Sequence, residues 1–124
     1  MSDERLFALR GATDVEANTE EAILAATETL MRELIARNTL ELERIVSCIF
    51  TVTDDLNAAF PAVAARGLGF ERVPLLCTRE INVPGSLQSV IRVLLHYYAP
   101  AGHTPSHVYL GAARSLRADL DAAQ

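Results

Sequence analysis

Arg92 lies inside the most apolar stretch of the chain, Val90-Ile91-Arg92-Val93-Leu94-Leu95. A guanidinium in such a run cannot shed its proton, so it must find an anion or many acceptors. No Asp or Glu lies within the run. Either a distant carboxylate neutralises Arg92, or the position serves an anionic ligand. Arg10 repeats the theme. It closes the stretch Leu6-Phe7-Ala8-Leu9-Arg10 and is followed by Gly11-Ala12-Thr13. An arginine at a strand end, beside a glycine that lets the backbone approach a ligand, can present a fork-shaped donor. A surface salt bridge at the strand end is the alternative. Further along, Arg66, Cys77, Glu80, Tyr109 and Arg117 stand near the ends of the expected elements. Four arginines, one carboxylate, one thiol and one phenol form neither a nucleophilic triad nor a metal site. They suit a small dianion that also carries a hydroxyl, with arginines for its carboxylates and Glu80 for the hydroxyl.

The elements that must position these residues follow from the apolar pattern. Residues 5–10 read as a strand. Asn18 or Thr19 caps a helix over about 19–37, with Glu20 and Glu21 at the positive end of its dipole. Ile23, Leu24, Leu30, Met31, Leu34 and Ile35 form its core stripe, and Asn38 is the expected stop. Residues 45–52 form a second strand, in which Cys48 reads as a small buried hydrophobe. Asp54 and Asp55 turn the chain into a second helix with Pro61 in its first turn and Gly67 or Gly69 at its end. A third strand is expected at 72–77, with a possible extension over 79–82. The turn Val83-Pro84-Gly85-Ser86 precedes the Arg92 strand at 88–98, and a short fifth strand covers His107–Leu110. The tail from Ala118 to Gln124 is small and acidic and is expected to be mobile.

The order β-α-β-α-β-β-β implies an α/β (α+β) domain, a sheet with helices mainly on one face. The other face then needs a partner. Oligomerisation supplies one, and it would create sites between subunits.

A chain of 124 residues suits one domain spanning 1–124. Its net charge of −5 argues against nucleic acid and anionic membrane as partners. All eleven basic residues are arginine, which excludes Schiff-base chemistry on a lysine. An anionic substrate therefore meets an unfavourable overall field, and clustered arginines must attract it locally. Cys48 and Cys77 are too few for a disulfide framework and lack metal-ligand spacing. His96, His103 and His107 share no spacing and read as structural or surface residues. The acidic start Met1-Ser2-Asp3-Glu4 does not resemble a signal peptide, and no run approaches a membrane span, so a soluble cytoplasmic protein is expected.

An ordered set of segments resembles a known family, the small trimeric α/β chorismate mutases of the AroH class. The set runs through Leu9-Arg10-Gly11-Ala12-Thr13, Asp55-Leu56, Ala59-Phe60-Pro61-Ala62 and Arg66. It continues through Val73-Pro74, Cys77, Glu80, Pro84-Gly85-Ser86-Leu87, Ile91-Arg92-Val93, His107-Val108-Tyr109-Leu110, Leu116-Arg117 and Asp119-Leu120. Each piece is weak alone; the ordered set is specific and spans nearly the whole chain.

The resemblance implies a trimer with a pseudo-barrel core and sites between subunits. It also implies a pericyclic rearrangement of chorismate to prephenate, with no cofactor. On that likeness Arg92 would donate to the ether oxygen, and Arg10 would hold a carboxylate. Glu80, with Cys77 beside it, would accept from the ring hydroxyl. Tyr109 would bind a carboxylate, Phe60 and Leu116 would form apolar walls, and Arg66 and Arg117 would sit at the rim with the tail as a lid. Val63 and Leu76 depart from it, standing where some members carry a lysine and a threonine. A trimeric imine or enamine deaminase of the Rid type would also use an intersubunit arginine, but the Cys77-to-Glu80 and Tyr109-to-Arg117 segments favour the mutase. A metabolite-binding module that kept the anion pocket without catalysis is the non-enzymatic rival.

Overall fold

The structure is a computed structural model, and it describes residues 3–116. Five strands form one mixed sheet: β1 (Glu4–Asp14), β2 (Ile45–Val52), β3 (Leu75–Arg79), β4 (Val90–Pro100) and β5 (Val108–Leu110). Their spatial order is β3-β2-β4-β1-β5. The central strand β4 is antiparallel to both β1 and β2, while the edge strands β3 and β5 run parallel to β2 and β1. Among the described residues α1 (Glu20–Asn38), α2 (Ala62–Gly67) and the short 3-10 turns Leu42–Arg44, Phe70–Arg72 and Gly111–Ala113 join these strands in the element order. α1 packs on β1 and β5, and α2 packs on α1 and β3.

Side-chain alternation divides the sheet cleanly. Leu9, Cys48, Phe50, Ile91, Val93, Leu95 and Tyr97 are buried against the core stripe of α1, formed by Ile23, Leu30, Met31 and Leu34. Burial holds the Cys48 thiol protonated, its pKa pushed up to about 12, as suits a small apolar filler. Gly11 belongs to this face. A Cβ at Gly11 would lie 3.0 Å from Leu34 Cδ1 and 3.2 Å from both Leu30 Cδ1 and Val93 Cγ1. The glycine expected to admit a ligand thus serves first to bring β1 close to the helix.

Thr19, not Asn18, caps α1: its hydroxyl accepts from Ala22 N–H at 3.1 Å. Asn18 instead accepts from Asn57 N–H and Ala58 N–H, tying the loop before α2 to the start of α1. Asn38 is the last residue of α1, and the left-handed residue that stops the helix is Thr39, with φ 49°. The Asn38 side chain is buried and exchanges two bonds with Ser106, accepting from its N–H at 2.7 Å and donating to its carbonyl at 2.9 Å. Those bonds hold the approach to β5 against the helix.

The third strand differs from expectation. Residues Phe70–Arg72 form a single 3-10 turn, and β3 begins only at Leu75. Phe70 and Val73 are buried as strand residues would be, but Pro74 lacks an N–H and cannot join a ladder from its own nitrogen. The segment 79–82 does not extend the sheet beyond Arg79, apart from one bond from Glu80 N–H to Val52 O at 2.8 Å. Elsewhere β1 is longer than expected, running to Asp14, and β4 is shifted by two residues to end at Pro100; the two pair over eleven residues. The expected mobile tail, 118–124, lies outside the described residues.

Candidate active site

The site is built on one row of side chains that crosses all five strands. Thr78 of β3, Thr51 of β2, Arg92 of β4, Ala12 of β1 and Tyr109 of β5 are register partners in turn. Partners in register share a face. Because Gly11 and Val93 face the helices, this row projects from the opposite, uncovered face. Arg10 stands two residues before Ala12 and so emerges on the same face, diagonal to Arg92.

Ala12 gives the row its shape. It is buried, and its methyl is the smallest side chain between Arg92 and Tyr109. Above it lies a cavity of about 610 Å³ whose walls include Arg10, Arg92, Tyr109, Ser86, Leu87 and Leu116. A second hollow of about 460 Å³ shares Arg10 and Arg92 and adds Ile49, Thr51 and Glu80.

Glu80 answers the question raised by the half-buried Arg92. Its Oε2 lies 3.2 Å from Arg92 Nε and also accepts from the Thr51 hydroxyl. A carboxylate distant in sequence therefore offsets the guanidinium charge. The alignment is poor, however, and Arg92 Nε makes no hydrogen bond among the described residues. The Arg92 side chain remains 34% exposed. An acid thus balances the charge, and the fork still has donors that face the cavity.

Arg10 has no ion pair among the described residues, so the strand-end salt bridge is absent there. Its backbone N–H donates to His107 Nδ1 at 3.0 Å. Burial, and then the Arg10 charge, lower the His107 pKa, which favours the neutral imidazole that can accept this bond. The histidine read as structural thus anchors the strand position that carries Arg10.

The structure places Arg10 and Arg92 between two hollows, one lined also by Tyr109 and Leu116 and the other by Glu80. It does not bring Cys77, Phe60 and Arg66 there within a single chain. Cys77 pairs with Phe50 and points to the helix-covered face. It lines a separate hollow of about 410 Å³ with Phe60, Val63, Asn57 and Thr78. Phe60 is 69% exposed beside that hollow, and Arg66 is exposed in the last turn of α2. The expectation that Cys77 sits beside Glu80 is therefore corrected within one chain: alternation along β3 sends Cys77 to the face opposite the arginines. Arg117 lies outside the described residues.

Sequence reasoning overlooked Thr51 and Ala12. Thr51 reads as an ordinary β-branched strand residue and Ala12 as filler; only the register places them beside Arg92. Among the described residues no group of His, Cys, Asp and Glu is placed to hold a metal ion.

A mixed sheet covered by helices on one face, with two arginines and a carboxylate on its bare face, defines a small α+β protein with an arginine-lined cleft. The sequence matches the type I chorismate mutase family over residues 6–120, and the chain belongs to that family. It is 49% identical over 121 residues to Chorismate mutase AroH of Thermus thermophilus, a match covering 94% of this chain and 97% of the relative. It is 40% identical over 114 residues to Chorismate mutase AroH of Bacillus subtilis, covering 90% of each. Its fold is similar to that of a chorismate mutase from Clostridium thermocellum, with a TM-score of 0.83 and 46% identity. That match covers 88% of this chain and 98% of the other.

Proposed function

We propose that the chain is a chorismate mutase acting in aromatic amino acid biosynthesis, in the cytoplasm. It converts chorismate to prephenate by an intramolecular pericyclic rearrangement. The observation that carries this reading is the juxtaposition of Arg92 and Glu80, 3.2 Å apart, beside Arg10 on the uncovered face. The substrate is a dianion with a ring hydroxyl, and the cleft offers donors and an acceptor of the matching kinds.

In the reaction a C–O bond breaks while a C–C bond forms, and no proton is transferred. Rate comes from holding the compact conformer and from donors aimed at developing charge. Arg92 donates to the ether oxygen as negative charge builds there. Arg10 holds a carboxylate close to the same region, and Tyr109 holds a carboxylate from β5. The Glu80 carboxylate accepts from the ring hydroxyl. Leu116 forms an apolar wall.

The remaining family positions point to assembly. Phe60 and Cys77 line a different hollow from Arg10 and Arg92, as expected if each site joins the arginine cleft of one copy to the Phe60 hollow of the next. On the bare face Leu76, Ile49 and Leu94 form an apolar row beside the polar one, and Leu6, Leu76 and Tyr98 are 52%, 58% and 44% exposed. A homotrimer that encloses this face would bury that row and form three sites between subunits.

The test is loss of chorismate ultraviolet absorbance with purified protein, with prephenate identified as product, run beside Arg92→Ala and Arg92→Lys. Both variants should lose roughly 100- to 1,000-fold in kcat, because one preorganised donor is typically worth that much and an ammonium does not reproduce the fork. Turnover by wild type that survives Arg92→Ala would overturn the role of Arg92. A well-folded wild-type protein without turnover would overturn the assignment of activity.

A further inference from the structure

We propose that Thr51 is a positioning residue that keeps Glu80 and Arg92 from closing on each other. The proposal rests on the reading of the cleft given above. The Thr51 hydroxyl donates to Glu80 Oε2, the same oxygen that faces Arg92 Nε at 3.2 Å. A carboxylate and a guanidinium side by side would ordinarily dock as a two-pronged pair, using both carboxylate oxygens and two N–H groups. Here they do not, and Arg92 Nε has no hydrogen bond among the described residues. The hydroxyl occupies the oxygen nearest the guanidinium and holds the carboxylate plane askew to the fork. Two consequences follow for catalysis. Oε1 is left to accept the substrate hydroxyl, and the Arg92 fork is left to donate to the ether oxygen.

The sheet makes this possible because Thr51 is the register partner of Arg92 on β2, with its side chain on the same face. Glu80 is anchored from the other direction, its N–H donating to Val52 O at 2.8 Å. The carboxylate is thus fixed at its root by the β2 backbone and at its tip by the β2 side chain one residue earlier. Without the hydroxyl, the tip is free to swing onto Arg92. The cleft would then be occupied by its own ion pair, which substrate must break before it binds productively.

The experiment compares kcat/KM for chorismate in the full-length wild type, Thr51→Val, Thr51→Ser, Glu80→Gln and the Thr51→Val/Glu80→Gln double variant. Valine keeps the shape of threonine, and its loss should be roughly tenfold to hundredfold, the usual range for one hydrogen bond to a charged group. Serine restores the hydroxyl and should recover most of that loss. In the Glu80→Gln background, Thr51→Val should add little, because the residue acts through the carboxylate. An equal loss in both backgrounds would overturn the proposal and leave Thr51 a strand residue only. Unchanged activity in Thr51→Val, with Glu80→Gln impaired, would overturn it while sparing the role of Glu80. Full activity in Glu80→Gln would overturn the reading of Glu80 itself, and this proposal with it.

Discussion

The most constrained single residue is Gly111, not either arginine. Its φ of +56° lies in the left-handed region, and a Cβ there would overlap the Asp14 carboxylate. Gly111→Ala should therefore destabilise the fold by about 2 kcal/mol or more, measured by urea unfolding. Removing the obstructing carboxylate as well, in Asp14→Ala/Gly111→Ala, should return part of the loss. At this scale the sequence was informative where chemistry conflicts with surroundings. Arg92 amid aliphatics announced itself because burying an unpaired charge is costly. Glu80 was legible from its place just past the third strand, and the family resemblance supplied its role. Thr51 and Ala12 were not, since each matches its local environment and gains meaning only from the residue opposite. Gly11 was legible as special, but a missing side chain does not say which of its two faces required the space.

At the scale of elements, the weakest joint near the site is the attachment of β5. It pairs with β1 over three residues, Val108 to Leu110, and depends further on the Arg10 N–H bond to His107 and on the Asn38 clamp of Ser106. Burial and the Arg10 charge place the His107 pKa below its ordinary 6.5. The unfolded chain therefore takes up a proton first as pH falls, and stability should decline below about pH 6.5 until the folded-state value is passed. Above pH 6.5 the contribution is complete. Urea midpoints at pH 7.5 and 5.5 should differ in that direction, and His107→Asn, which keeps an acceptor without a titrating ring, should narrow the difference. Helix and strand identity were legible from periodicity throughout, including the element order. Boundaries failed where a local rule was overridden. The buried Phe70 and Val73 imitate a strand start, while the missing N–H of Pro74 delays it.

For the whole molecule, the bare sheet face leads to a prediction about mixtures. If each site joins two copies, Arg92→Ala and Arg66→Ala chains, each poorly active alone, should regain activity when unfolded and refolded together. Hybrid assemblies would contain some sites with both native halves, and chorismate turnover against mixing ratio would reveal them. Sites confined to one chain would show no such gain. Leu76→Arg, which places a charge in the apolar row, should both dissociate the assembly in sedimentation and abolish turnover.

The row from Thr78 to Tyr109 also limits how this protein can change its length. Each strand contributes one member, and inserting or deleting a single residue ahead of that member turns it to the other face of the sheet. Substitutions can be absorbed one side chain at a time, but an uncompensated one-residue change within a strand removes a whole group from the cleft. Viable length variants should therefore fall in stretches such as 81–84 and 101–105, where the chain can lengthen without moving any of the five registers or the anchors beside them.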